Sequence, residues 1–204
     1  MAIWRVSKGQ SRIVVAIPRL GIAIKCARIR KRYAIDFYRN ASRYAREMLP
    51  NPDPEVKAMY WEFVRGSFRR SVWLTFRGVS DNWCERNFYK HSDALSRLLL
   101  QPTHLSLFGL INVQKYGEPA DIGDSEPIYH AFFQIAGQDL IQDGHHWVNA
   151  KNFHLATDGP KLLDYGGEAT RRIIDQYGVA LYTDFDIQTG RRQVEEFRRK
   201  RRPS

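Results

Sequence analysis

Two short apolar runs, Arg12–Ile17 and Gly21–Lys25, flank Pro18-Arg19-Leu20-Gly21, whose Pro and Gly mark a turn, so the chain opens with a strand pair. A helical rhythm follows. Tyr33, Phe37, Ala41, Tyr44 and Met48 recur every three or four residues and predict an amphipathic helix, which Pro50-Asn51-Pro52-Asp53-Pro54 stops. A second helix is expected from Glu55 to about Phe68, with Val56, Tyr60 and Phe63 or Val64 inward, and a third from a Ser80 or Asp81 cap to about Leu100. These stripes read as packing surfaces. The segment from Leu100 to Gly117 suits two more strands. Further on, Asp158-Gly159 is a turn signal between two short apolar runs. The hairpin it predicts brings Asn152 and Asp164 back together, although twelve positions separate them.

An amide and a carboxylate at the two ends of one hairpin are oxygen donors of the kind a small hard cation takes, with its other positions left for phosphate and water. The segment His145-His146-Trp147-Val148-Asn149-Ala150-Lys151-Asn152, followed by Asp164-Tyr165-Gly166, resembles the catalytic loop and the Asp-Phe-Gly motif of the protein kinase-like fold. Gly21-Ile22-Ala23-Ile24-Lys25 is similar to the Val-Ala-Ile-Lys strand of that family, and Glu85 to its helix Glu. The order of parts also matches: strand pair, strand Lys, helix Glu, strand pair, hairpin, Asp-Tyr-Gly. The resemblance spans roughly Trp4 to Gly178 and is to short bacterial or phage-type members.

The resemblance implies a bilobal α+β kinase-like fold with ATP and magnesium as cofactors. It assigns an N-lobe to residues 1–118 with a helical insertion at 30–80, a reduced C-lobe to 119–190 and a basic tail to 191–204. Lys25 would hold the nucleotide phosphates, Glu85 would orient Lys25, and Asn152 and Asp164 would hold magnesium. The pattern departs from the family in two places. Ser7-Lys8-Gly9-Gln10-Ser11 has one Gly where kinases have a glycine-rich loop, and Trp147 stands where kinases keep the catalytic Asp. Indole cannot accept a hydroxyl proton, so Asp143 and His145 are the remaining candidates for proton acceptor.

Each part has a plainer reading. Lys25 suits an edge strand, Glu85 suits a first-turn acid favoured by the helix dipole, and Asn152 and Asp164 suit a surface hairpin. Zinc is a weaker expectation, because His145 and His146 are adjacent and no Cys or third His lies at ligand spacing. Cys26 and Cys84 have no metal or redox spacing and read as reduced core residues.

Charge divides the chain. Residues 1–80 carry a net +12, residues 81–190 a net −7, and residues 191–204 a net +5. The acidic middle suits a cation site, and the basic ends suit a polyanion, nucleic acid or acidic lipid, through Arg28, Arg30, Lys31, Arg32, Arg39, Arg43 and Arg46 or through the stretch from Arg191 to Arg202. Zinc-finger and RNA-binding strand signatures are missing. No run of eighteen apolar residues occurs, and Arg12, Arg19 and Lys25 interrupt the early apolar stretch, so neither a span nor a signal peptide is expected and the cytoplasm is the expected location. With 204 residues at 43% hydrophobic content, one domain or two small lobes fit. Three functions stay open: ATP/magnesium-dependent phosphoryl transfer to an unknown acceptor, a pseudokinase or inhibitor that keeps the fold, and a basic nucleic-acid-binding protein.

Overall fold

Pro18 and Gly21 bring the reversal between the second and third strands. The computed structural model describes residues 4–51 and 53–201 of the chain, and its first three strands are β1 (Arg5–Lys8), β2 (Arg12–Ile17) and β3 (Ile22–Ala27). A single 3-10 turn over Pro18–Leu20 joins β2 to β3, and Gly21 N–H closes it on the Pro18 carbonyl at 3.0 Å. With β4 (Thr103–Leu107) and β5 (Ile111–Lys115) the strands form one antiparallel sheet in the order β1-β2-β3-β5-β4. Lys25 therefore sits in a central strand, flanked by Val14 of β2 and Asn112 of β5, and the edge-strand expectation fails.

Residues directly opposite in an antiparallel pair share a face. Arg12, Lys25, Asn112 and Gln114 thus share one face of this sheet, and all four are buried, whereas the apolar Ile13, Val15, Ile24 and Val113 are only half-buried. Apart from Ala23, the buried side chains of β2, β3 and β5 on this covered face are polar.

Its cover is the second of two helices, α1 (Lys31–Met48) and α2 (Pro54–His91). They form an antiparallel hairpin seamed by Phe37 against Phe68 (ring centroids 5.6 Å) and Tyr44 against Phe63 (4.7 Å). Pro54 and the Asp53 cap, whose carboxylate accepts from Glu55 N–H at 2.8 Å, start α2. Pro52 lies outside the described residues. The two separate helices expected before and after Ser80 are one helix of 38 residues, about 57 Å long at 1.5 Å per residue. Ser80 and Asp81 resemble a cap in sequence but lie mid-helix, and Asp81 accepts from Ser11 Oγ at 2.9 Å. The crossing over the sheet is close enough that a Cβ on Gly78 would come within 2.0 Å of the Ser11 carbonyl oxygen.

The apolar core lies elsewhere. It gathers around α3 (Ser96–Leu99), α4 (Ser125–Ala136), α5 (Gly144–Trp147), the hairpin β6 (Phe153–Ala156) and β7 (Gly159–Leu162), and α6 (Glu168–Thr183). Phe132, Trp147, Phe153, Leu162, Tyr165 and Ile174 are fully buried in it. The final helix, α7 (Ile187–Arg201), packs on α4, burying Val194, and Arg191 and Arg198 pair with Asp124 and Glu126 at 2.9 and 2.8 Å. The basic stretch thus continues a docked helix; Arg202 lies outside the described residues. The molecule is an α+β protein. Among the described residues no helix is long and apolar enough to cross a membrane.

Candidate functional site

Where α2 crosses the polar face of the sheet, four buried or part-buried charges meet. Glu85 is fully buried on α2, near the helix C-terminus instead of in its first turn, so the helix dipole does not account for it. Its Oε1 accepts from Lys25 Nζ and, at 3.1 Å, from Gln114 Nε2, while its Oε2 accepts from Arg12 Nη1. Lys25 Nζ also donates to the Leu163 carbonyl, next to Asp164. Arg12 Nη2 donates to Asp164 Oδ1, so one guanidinium bridges both acids.

Two cations and two anions cancel, which is how so much charge is tolerated away from water. Burial alone would push Asp164 up, but the Arg12 and Lys25 charges and His146 hold its carboxyl well below the usual range. Burial pulls the Lys25 ammonium below its ordinary value in spite of Glu85. Asn82, also fully buried, fixes the frame: its side-chain amide donates to the Lys25 and Gly109 carbonyls at 3.2 and 3.0 Å, locking α2 to β3 and to the β4–β5 turn.

The β6–β7 hairpin brings up the second half of the site. Its two-residue turn is Thr157-Asp158, with Ala156 paired to Gly159, so Asp158 sits one turn position later than the Asp-Gly signal suggests. Leu163 N–H donates to the Asn152 carbonyl at 2.7 Å, which sets Asn152 and Asp164 at neighbouring registers at the open end. Asn152 Nδ2 donates to the His146 carbonyl at 2.8 Å, and its Oδ1 has no protein partner among the described residues. Gly166 follows Asp164 and Tyr165 against α2, where a Cβ would meet the Asp81 carbonyl oxygen at 2.8 Å. Tyr165 is core, donating its hydroxyl to the Gln101 carbonyl at 2.8 Å.

The expected proton acceptors lie beside this hairpin, differently arranged from the sequence reading. Trp147 is fully buried between Phe132 and Phe153 (centroids 5.3 and 5.8 Å), so it is a packing residue. Asp143 is buried, and its two oxygens accept from His146 Nδ1 at 2.8 Å and from Thr170 Oγ1. Burial would raise Asp143, but those two hydrogen bonds together with the neighbouring imidazoles outweigh it and hold the carboxyl below its ordinary value. His145, with its side chain 75% exposed, lies 3.5 Å from the same carboxylate.

His146 was not among the residues singled out in the sequence as candidate proton acceptors. It is the imidazole that feels Asp164: burial alone would lower its pKa, yet the Asp143 bond and the Asp164 charge raise it. Its i to i+3 spacing from Asp143 on one turn was the available signal. An ionised carboxylate only accepts, so Nδ1 carries the hydrogen and Nε2 is the nitrogen free to take a proton.

The same side chains have a second capacity. One ligand atom each from Asp143, His145 and His146 lies within 4.8 Å of the others, a three-donor set that the adjacency of the two His residues had hidden. For magnesium, the unpartnered Asn152 Oδ1 and the second oxygen of Asp164 are suitable hard donors, and Arg12 is the charge competing for Asp164. A cavity of about 300 Å³ bordered by Tyr89, Arg97, Gln101, Tyr116, His154 and Lys161 shares none of these site residues. Compared with protein-family models, curated proteins and solved structures, the chain has no significant match.

Proposed function

We propose that the chain is a bilobal kinase-like domain that binds a magnesium-nucleotide and carries out phosphoryl transfer to an acceptor still to be identified. The observation that carries this is the buried Lys25–Glu85 ion pair beside Asp164, with Lys25 on the third strand and Glu85 on the covering helix. A kinase-type site needs a strand Lys held by a helix Glu, next to a metal-holding Asp, because its catalysis is positioning and charge stabilisation. Lys25 is assigned to the phosphates, Glu85 to orienting Lys25, and Asn152 and Asp164 to magnesium. Nε2 of His146, oriented by Asp143, is the assigned proton acceptor in place of His145. Residues 1–118 would be the N-lobe and 119–190 the reduced C-lobe.

The test is thermal melting with and without ATP and magnesium, followed by transfer of labelled phosphate. A ligand that binds only the folded chain stabilises it by about 2.7 kcal/mol at a hundredfold excess over Kd. A flat response to nucleotide with magnesium would sink the reading. A second reading, a pseudokinase that binds nucleotide without turnover, is favoured by the Arg12 bridge across Glu85 and Asp164 and by Trp147 being packed in the core. Nucleotide-dependent stabilisation with no transfer from ATP would select it.

A further inference from the structure

The α1–α2 hairpin has an unusual surface. The seam between the helices runs through Tyr33, Phe37 and Tyr44 on α1 and Phe63, Phe68 and Ser71 on α2, with Ser71 Oγ donating to the Tyr33 carbonyl at 2.8 Å. Away from it, each helix exposes further apolar residues on one side, Ile35 and Tyr38 on α1 with Leu49 just past its end, and Trp61, Val72 and Phe76 on α2, while Met59 and Trp73 are exposed on the other side of α2. At 100° per residue, the α1 stripe lies about 150° and the α2 stripe about 115° past the seam, in the same rotational sense. Antiparallel helices are related by a dyad perpendicular to the hairpin plane, so offsets of one sense and under half a turn bring both stripes toward one face, the α1 stripe nearer its outer edge. Trp61 is 57% exposed and Tyr38 71%, so this face is uncovered.

Cations accompany it. Lys31 and Arg46 on α1 and Lys57, Arg65 and Arg69 on α2 fall within or beside the stripes, and all five are exposed. Among the described residues none of them pairs with an acid. Asp36 and Glu47 lie on the far side of α1 by the same periodicity, leaving Glu62 as the nearest acid. We propose that this face docks on the surface of an anionic lipid bilayer, with the hairpin lying in the interface plane. Trp and Tyr favour the headgroup region, long Arg and Lys side chains reach the phosphates, and an anionic leaflet attracts unpaired cations.

Two other occupants fit less well. A second copy of the face would set Arg65 and Arg69 against their own kind with few acids to answer them. Nucleic acid would use the cations and the rings, but Ile35, Leu49 and Val72 offer it no stacking surface.

The experiment is sedimentation of the full chain with phosphatidylcholine vesicles, with and without phosphatidylglycerol, together with tryptophan emission. The chain should bind the phosphatidylglycerol vesicles alone, with a blue shift. The pairs Trp61→Ser with Phe76→Ser and Arg65→Glu with Arg69→Glu should each weaken partitioning by at least about tenfold. Ile122→Ser, at an exposed apolar residue elsewhere, should leave it unchanged, and all variants should melt cooperatively. The proposal is overturned by absent vesicle binding, by unchanged partitioning of both pairs, or by a dimer or a labelled oligonucleotide complex that depends on these residues while vesicles are ignored.

Discussion

Arg12 and Asp164, which stand 152 positions apart, are joined through Arg12 Nη2 and Asp164 Oδ1, while the other guanidinium nitrogen reaches Glu85. The start of β2 is thus tied to the segment that follows the β6–β7 hairpin. The Arg12 charge also rests where a cation bound to Asp164 would act.

Replacing Arg12 should therefore separate stability from affinity. Arg12→Gln leaves Glu85 and Asp164 short of a partner, and breaking a buried pair costs about 3–5 kcal/mol. Nucleotide affinity in the presence of magnesium should rise, because the competing charge is gone. Urea unfolding reads the first effect and a fluorescent-nucleotide titration the second. A fall in affinity would instead make Arg12 part of the nucleotide site.

The Lys25–Glu85 pair should behave as one unit. Lys25→Ala and Glu85→Ala each leave a buried charge facing the remaining members of the network, so the double variant should cost less than the sum of the two. Groups in one network couple by about 0.5–3 kcal/mol. Additive losses in a double-mutant cycle would remove the pair as an energetic feature.

How far the site was legible in sequence follows from which signals are local. The hairpin, the turn at Pro18 and Gly21 and the periodicity of Tyr33 to Met48 are set by neighbours a few residues apart, and the structure has them. The length of α2 was hidden because Ser80-Asp81 looks like a cap, whereas the helix runs on through it and the Asp81 carboxylate accepts from Ser11 on the sheet, 70 positions away. Arg12 was read as an interruption of an apolar run. Its burial depends on acids 73 and 152 positions away, and no local pattern reports that. Trp147 was aligned to a catalytic position by counting, whereas the fold spends it on the core and joins His146 to Asp143.

The two hairpin acids give a matched comparison. Asp158 is exposed in the turn and pairs with Lys161 at 2.8 Å, whereas Asp164 is a third exposed at the other end beside Arg12 and Lys25. Asp164→Asn should weaken magnesium-nucleotide binding by at least about tenfold, or about 1.4 kcal/mol. Asp158→Asn should change it little. Equal losses for the two, measured by titration, would remove Asp164 as a metal donor.

His146 should leave its mark on stability above pH 6.5. Its folded pKa is raised above the ordinary 6.5 by the bond to Asp143 and the charge of Asp164, which together outweigh burial. The charged ring therefore contributes stability that is fully present below pH 6.5 and is lost as pH rises through the raised value. Asp143 works in the opposite window. Its folded pKa is lowered, so its contribution is complete above the ordinary 3.8 and is lost as pH falls through the lower folded value. Urea unfolding from pH 6 upward should show stability declining for the native chain. His146→Gln should flatten that slope, and so should Asp164→Asn in part, because it removes one of the charges that hold the proton on. His145→Gln should retain the slope, since its side chain is 75% exposed. If His145→Gln flattens it and His146→Gln does not, the two imidazoles have exchanged roles and His146 is no longer the candidate proton acceptor.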